Sequence, residues 1–141
     1  MKALYVLFVL LFSACATISI PEEGSVSSFD ALQFLEKGEA VIVDTRAEYE
    51  KGAGVPRGAL AHQFGPDDFL SRPASEKEKA EFVKEISKLN ASGKKILLLC
   101  QYGVRSESAR QTLARAGIQA FSIAGGWLGR NGQTGLKDWM D

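Results

Sequence analysis

Short apolar runs in the chain alternate with segments that have helical periodicity. Residues 40–43 and 96–99 are entirely apolar and residues 118–123 largely so, which is typical of strands buried on both faces of a sheet. Each run follows a segment in which apolar residues recur every three or four positions, as they do on one face of a helix. This order predicts an α/β domain with an open, mainly parallel central sheet and helices on both faces.

Helix boundaries are also visible in the pattern. Ser27 and Asp30 have the form of a capping box, and Gly38 is placed to end the first helix. The apolar faces predicted for the three helices are Phe29, Leu32 and Leu35 in the first, Ala80, Phe82, Val83, Ile86 and Leu89 in the second, and Ala109, Leu113 and Ala116 in the third.

The first twenty residues differ from the rest of the chain. Lys2 precedes an apolar run over residues 3–12, and small residues follow it, which is the layout of a secretory signal peptide. The run is too short to span a bilayer, which requires about 20 residues; an anchoring or buried N-terminal helix is the alternative. The sequence therefore predicts a leader over residues 1–20, a linker over 21–26 and one domain over 27–141.

The end of the leader allows more than one processing site. Residues 12–15 resemble the bacterial lipobox, which implies that Cys15 is lipidated and tethers the protein to a membrane. The small residues Ala14 and Ala16 offer a competing site after Ala16, which would release a soluble protein. Alternatively, Cys15 is only a small apolar residue of the leader. Each processing route predicts export, either to the periplasm or as an envelope lipoprotein of a Gram-negative bacterium.

Composition narrows the chemistry. A chain of 141 residues with 17 basic and 17 acidic side chains fits one domain and lacks the basic excess expected of a nucleic-acid-binding protein. One histidine, His62, and two cysteines cannot form a closed zinc site from nitrogen and sulfur ligands, so no metal is predicted. With Cys15 in the leader, Cys100 is the one remaining thiol. An unpaired thiol in an oxidising compartment indicates a functional cysteine.

Cys100 lies where the second predicted strand meets a loop that opens a helix. Ligands bind at the carboxyl ends of strands in open α/β sheets, and helix N-termini favour negative charge. Gly103 allows the loop to curl so that successive amides form an anion-binding nest, and Arg105 adds positive charge. We therefore expect Cys100 to react as a thiolate.

The distance in sequence between Cys100 and Arg105 separates two kinds of chemistry. Protein tyrosine phosphatases have one more residue between the cysteine and the arginine, and their wider loop surrounds a phosphate. The smaller ring of amides in this chain suits a single sulfur atom better than a phosphoryl group. The intervening residues are Gln101, Tyr102, Gly103 and Val104.

Residues 100–106 resemble the active-site loop of the rhodanese family of sulfurtransferases, and the resemblance covers residues 27–140. It departs from the family where Ala53 replaces the usual histidine, where a residue is inserted around Gly54 and Arg57, and after Gly126, where the chain is longer and richer in glycine. Three further segments agree with the family's pattern. Residues 41–46 resemble the family's strand that ends in Asp-x-Arg, and residues 124–127 resemble its closing Gly-Gly motif. The segment that follows the strand is matched by Glu48, Tyr49, Gly52, Pro56, Gly58 and Ala59.

The resemblance implies a two-step exchange. Cys100 takes the outer sulfur of a donor such as thiosulfate to form a persulfide, and a thiol or cyanide acceptor then removes it. Asp44 and Arg46 would be a supporting structural pair. No metal or organic cofactor is needed. Substrate-binding roles would fall to Gln101, Tyr102, Gly103, Val104, Arg105 and Ser106.

Two other functions remain open at this stage. One is a non-enzymatic carrier or binding module that passes sulfane sulfur to a protein acceptor in the cell envelope. The other is a phosphatase-like use of the fold, which the short loop disfavours. No role is predicted for the glycine-rich residues 129–135.

Overall fold

The computed structural model describes residues 24–140. The predicted leader with Cys15 and the first half of the predicted linker lie outside the described residues. Residues 25 and 26, which the sequence analysis assigns to the linker, instead form a strand that pairs with the last strand of the sheet. Within residues 24–140 no helix is both long enough and apolar enough to cross a membrane.

Five parallel strands and four α-helices make up the described part of the chain. The strands are β1 (Ser25–Val26), β2 (Ala40–Asp44), β3 (Leu60–Ala61), β4 (Lys95–Leu99) and β5 (Phe121–Ile123), and they lie in the order β1-β5-β4-β2-β3. The helices are α1 (Ser28–Glu36), α2 (Glu76–Asn90), α3 (Val104–Arg115) and α4 (Lys137–Met140), and a 3-10 helix spans Glu48–Ala53.

The sheet is covered on both faces, as predicted from its apolar strands. Successive side chains of a strand point to opposite faces, so each strand contributes to two cores. In β4, Leu97 and Leu99 pack in one core with Phe34 of α1, whereas Leu98 packs in the other with Ile86 of α2 and Leu113 of α3. The predicted α/β fold with a parallel sheet is therefore confirmed.

The predicted inner face of α1 is wrong by one residue. Ser28, Ala31 and Phe34 are the buried positions, and Phe29 is 49% exposed. The two candidate stripes have the same spacing, and the small Ser28 and Ala31 let the helix approach the rest of the domain closely. Phe29 instead stacks edge-on against Trp139 of α4, with the ring centroids 5.3 Å apart.

The predicted ends of α1 agree with the structure better than the predicted inner faces of the helices do. Ser27 caps α1, since its hydroxyl accepts a hydrogen bond of 3.0 Å from Asp30 N. Gly38 follows the helix with a φ of +68°, a conformation that glycine adopts readily. Ala80 and Ala116, which the sequence analysis places on inner faces, are exposed.

Parallel pairing brings the carboxyl ends of the strands to one edge of the sheet. Asp44, the last residue of β2, lies in register with Leu99, the last residue of β4. Thr45 extends this pairing beyond the strands, because its backbone N and its Oγ1 both donate to Leu99 O, at 2.8 and 2.7 Å. The loops after β2, β3, β4 and β5 consequently meet around Cys100.

Candidate active site

Cys100 is the first residue after β4, and its sulfur is held by the loop that follows. Gly103 N donates a hydrogen bond of 3.0 Å to Cys100 Sγ, and Ser106 Oγ lies 3.3 Å from the same sulfur. Gly103 has a φ of +91°, and a Cβ there would come within 3.4 Å of Gly125 N. That distance is an ordinary van der Waals contact, so it is the backbone conformation that favours glycine at this position.

The loop leads directly into α3. Gly103 is the N-cap of the helix, and Glu107 N donates to Gly103 O at 3.2 Å. The amides of the first helical turn precede that bond and have no acceptor within the helix. Together with the helix dipole they favour negative charge next to Cys100.

The Gly-Gly motif supports the loop from behind. Trp127 N donates to Cys100 O at 2.8 Å, and Leu128 N donates to Gln101 O at 3.1 Å. A Cβ on Gly126 would collide with Cys100 O and lie 2.8 Å from Gln101 C. This close backbone contact explains why the motif after β5 requires glycine.

Two buried serines lie beneath the sulfur. Ser106 and Ser122 are both buried, and their hydroxyl oxygens are 2.8 Å apart. Ser106 also donates to Gly103 O at 3.2 Å. The structure thus places Ser106, a predicted substrate-binding residue, under Cys100 and away from the cleft. Ser122 was not predicted; its one signal is a hydroxyl in an otherwise apolar strand.

Asp44 and Arg46 form the pair that the sequence analysis describes as structural. Arg46 Nη2 lies 2.8 Å from Asp44 Oδ2, and both side chains are fully buried. Arg46 also donates to Gln101 Oε1 at 3.0 Å and to Gly54 O at 2.8 Å. The pair therefore connects the loop after β2 to the cysteine loop and fixes the Gln101 side chain.

The charge of Arg105 is compensated within the protein. Its guanidinium lies 3.1 Å from Glu50 Oε2, and it donates to the backbone oxygens of Thr45 and Asp67, each at 3.2 Å. Glu50 is itself fixed by a hydrogen bond of 2.8 Å from Ala47 N. The sequence analysis predicts that Arg105 provides charge for a donor and does not predict Glu50. An ion pair between distant loops leaves no signal in residue spacing.

An open cleft of about 780 Å³ leads from solvent to Cys100. Cys100 is only 3% exposed, yet it lines this cleft, so the thiol has a route to solvent. Gly103 and Ser106 of the predicted set do not line it. The lining residues from the cysteine loop are Cys100, Gln101, Tyr102, Val104 and Arg105, and the other loops contribute Tyr49, Glu50, Gly52, Ala53, Asp68, Phe69, Leu70, Gly129 and Arg130.

The one histidine of the chain lies away from the thiol. His62 lines a separate cleft with residues of α2, so an imidazole base does not lie beside Cys100. Among residues 24–140, no three side chains of His, Cys, Asp or Glu are grouped so that they could hold a metal ion. The chemistry that this site offers is that of one cysteine surrounded by backbone amides and an ion pair.

A parallel sheet with a cysteine loop that opens a helix at its carboxyl edge defines a rhodanese-like domain. Residues 29–131 match the family described as Rhodanese-like domain, and the chain belongs to this family. It is similar in structure to the human single-domain sulfurtransferase TSTD1, with 27% sequence identity, a TM-score of 0.52, and coverage of 74% of this chain and 91% of that one.

Two curated relatives carry a different name. The chain is 35% identical over 91 residues to a tRNA uridine(34) hydroxylase of Deinococcus radiodurans, covering 64% of this chain and 27% of the relative. It is 30% identical over 97 residues to a tRNA uridine(34) hydroxylase of Rickettsia bellii, covering 68% and 35%. The chain thus spans about a third or less of the length of these relatives. The match to the rhodanese-like family and the similarity to the human sulfurtransferase support a sulfurtransferase-like function.

Proposed function

We propose that the protein is a sulfurtransferase that moves a sulfane sulfur from a donor such as thiosulfate to a thiophilic acceptor through a persulfide on Cys100. The observation that carries this proposal is the hydrogen bond of 3.0 Å from Gly103 N to Cys100 Sγ, at the start of α3 and in an open cleft. This arrangement stabilises a thiolate and leaves room for one more sulfur atom.

The reaction balances without an external oxidant or reductant. The Cys100 thiolate attacks the outer sulfur of thiosulfate, the sulfur–sulfur bond of the donor breaks, and sulfite leaves with the electron pair. The acceptor, a thiolate or cyanide, then attacks the outer sulfur of the persulfide, and the Cys100 thiolate is released. The unpaired amides of the first turn of α3 would hold the negative charge of the persulfide.

Turnover of thiosulfate with cyanide tests the proposal and separates an enzyme from a carrier. The wild-type protein should produce thiocyanate at a steady rate over many cycles, and Cys100→Ser should produce none while its circular dichroism spectrum stays unchanged. Activity that survives in Cys100→Ser would overturn the mechanism. Loading of Cys100 without release to any small acceptor would instead favour the alternative, a non-enzymatic sulfane-sulfur carrier for a protein acceptor.

Export and tethering belong to the same proposal, because the lipobox-like residues 12–15 would place the reaction in the cell envelope. Mass spectrometry of the mature N-terminus from a lipid-processing host tests this. A diacylglyceryl group on an N-terminal Cys15 supports the tethered form. An unmodified N-terminus at Thr17 indicates cleavage after Ala16 and the soluble exported form, and it would overturn the tether.

The names of the two curated relatives suggest a second candidate, modification of uridine 34 in tRNA. The identity of 35% over 91 residues favours it. The balance of 17 basic and 17 acidic side chains disfavours tRNA binding by this chain alone. Hydroxylation of uridine also needs an oxidant, so the test incubates unmodified tRNA with dioxygen and analyses the nucleosides by mass spectrometry. Hydroxylated uridine that depends on both dioxygen and Cys100 would favour this candidate over thiosulfate turnover.

A further inference from the structure

The cleft extends in two directions from Cys100. The strand order β5-β4-β2-β3 places the loop after β5 on one side of the cysteine loop and the loops after β2 and β3 on the other. Adjacent strands are about 4.8 Å apart, so the cleft crosses about 14 Å of sheet edge between β5 and β3. A cleft of about 780 Å³ is much larger than a thiosulfate ion requires.

The β5 end carries an available positive charge. Arg130 is exposed and lines the cleft, and within residues 24–140 no carboxylate lies within ion-pairing distance of its guanidinium. Its backbone is fixed, because Arg130 N donates to Gln133 O at 3.1 Å and Gln133 N donates back at 2.9 Å. Arg105, the other cation of the cleft, is compensated by Glu50 at 3.1 Å. An anionic group is therefore best accommodated at Arg130.

The β3 end is apolar at its surface. Leu70 is 86% exposed there, and Phe69 lies beside it. The Asp68 carboxylate is the charged group at this end, and it disfavours a second anion. Phe69 is partly buried against the core, but Tyr49 is 70% exposed and is held at this end of the cleft by a hydrogen bond of 3.2 Å from its hydroxyl to Asp67 O. Leu70 and Tyr49 are thus large side chains exposed together around the cleft, which indicates contact with an apolar ligand group.

We propose that the sulfur acceptor is an organic thiol whose sulfur-bearing carbon carries an apolar arm on one side and a carboxylate arm on the other. The thiol sulfur would meet the Cys100 persulfide in the middle of the cleft, the carboxylate would contact Arg130, and the apolar arm would contact Leu70. This inference rests on the proposed function, because it names the second substrate of the same reaction. The acceptor thiolate attacks the outer sulfur, the Cys100 thiolate leaves, and the product is an organic persulfide.

A set of four thiols tests the contribution of each arm independently. 2-Mercapto-3-phenylpropanoate carries both arms, 2-phenylethanethiol only the apolar arm, mercaptoacetate only the carboxylate, and 2-mercaptoethanol neither. Cys100 is first loaded with thiosulfate, and loading is checked by intact mass. The rate of sulfur removal by each thiol is then measured for the wild type, Arg130→Ala and Leu70→Ser.

The readout is the ratio of the rates of two thiols with the same variant. When this ratio is compared between variants, the intrinsic reactivity of each thiol cancels. Arg130→Ala should lower the rate of sulfur removal by anionic thiols, relative to the rate with neutral thiols, about fivefold. Leu70→Ser should lower the rate with phenyl-bearing thiols, relative to the rate with small thiols, about threefold. Arg115→Ala, which removes an exposed arginine at the far end of α3, is the matched control and should leave both ratios unchanged.

The proposed function and the acceptor assignment can be overturned separately. If Cys100 does not load with sulfur, the proposed function is wrong and this inference falls with it. If Cys100 loads but neither ratio changes in Arg130→Ala and Leu70→Ser, or Arg115→Ala changes them equally, the acceptor assignment alone is overturned.

Discussion

Cys100 Sγ has two hydrogen-bonding partners within the protein. Gly103 N is 3.0 Å from the sulfur and Ser106 Oγ is 3.3 Å from it. Ser106 can turn its hydrogen either toward Gly103 O or toward the sulfur, and Ser122, 2.8 Å away, can donate to Ser106. A donated bond from Ser122 would therefore help Ser106 to direct its own hydrogen to a thiolate.

Ser122→Ala tests this chain of hydroxyls. We expect iodoacetamide to alkylate Cys100 about threefold more slowly in this variant, because a weaker hydrogen-bond donor at Ser106 stabilises negative charge on the sulfur less. The rate constant of labelling, compared with that of the wild type under the same conditions, measures the effect.

Ser122→Thr provides the control, since it retains the hydroxyl and threonine suits a strand. It should restore most of the labelling rate. Equal labelling rates for the wild type and Ser122→Ala would show that Ser122 does not act on the sulfur.

Glu50 offers a second test at the level of single residues. Glu50→Gln leaves the Arg105 charge uncompensated at the wall of the cleft, so the free energy of unfolding should fall by about 2 kcal/mol, as for the loss of a charged hydrogen-bond partner. The freed charge should also attract small anions, so we expect a lower KM for thiosulfate and a larger rise in Tm on adding thiosulfate than in the wild type.

Glu48→Gln is the matched control for that experiment, because Glu48 lies on the same 3-10 helix but forms an exposed pair with Lys51. It should leave all three quantities unchanged: the free energy of unfolding, the KM for thiosulfate and the rise in Tm on adding thiosulfate. A Glu50→Gln protein with unaltered KM for thiosulfate would mean that Arg105 does not contact the donor.

At the scale of single residues, the sequence indicates the groups whose chemistry depends on local spacing. Cys100 and Gly103 are identified by the loop they share, and the structure brings Gly103 N to the sulfur. Glu50 and Ser122 were not identified, because each contacts a partner that is distant in sequence. Arg130 was not identified, because only the fold brings its loop to the cleft.

At the scale of elements, the start of α2 shows how a cap and an ion pair combine. Ser75 caps the helix, and Glu78 Oε2 accepts from Ser75 N at 2.7 Å, which completes a capping box. Arg72 donates to both carboxylate oxygens of Glu78, each at 2.9 Å. The hydrogen bonds from Arg72 and then from Ser75 lower the pKa of Glu78 from 4.5 to about 2.

This lowered pKa predicts a pH dependence of stability. A carboxylate with a depressed pKa in the folded state stabilises the fold above its ordinary pKa of 4.5, and this contribution is lost as the pH falls through about 2. Glu78→Gln should therefore have a lower Tm than the wild type at pH 6. The difference in Tm should shrink as the pH is lowered from 4.5 toward 2.

Scanning calorimetry at several pH values measures the difference. Glu81→Gln, an exposed residue of the same helix outside the cap, should show a Tm close to that of the wild type throughout. A Tm difference for Glu78→Gln that stays constant with pH would contradict the role given to its charge.

The elements themselves were predicted unevenly. β2 and β4 are confirmed because apolar runs of that length leave few alternatives, and the ends of α1 are confirmed by Ser27 and Gly38. β3 has only two residues, Leu60 and Ala61, and both are exposed. The sequence therefore contains no apolar run that would predict this strand. The face of α1 was misassigned because Phe29, Leu32 and Leu35 have the same spacing as the buried Ser28, Ala31 and Phe34, so spacing alone does not distinguish the two stripes.

At the scale of the whole molecule, the parallel sheet determines where the site lies and the loops determine what it accepts. The order of helices and strands predicts that Cys100 lies at the carboxyl edge of the sheet, and this is confirmed. The rim of the cleft was not predictable, since Tyr49, Leu70 and Arg130 come from three different loops. These loops include the positions at which the sequence departs from the family's usual pattern.

The central claim is that Cys100 takes up one sulfur atom from a donor. Intact mass spectrometry after treatment with thiosulfate, followed by peptide mapping, tests it directly. The account predicts one added sulfur on Cys100, which disappears on addition of cyanide and never forms in Cys100→Ser. A wild-type mass that stays unchanged in excess thiosulfate, or an added sulfur that persists in Cys100→Ser, would contradict it.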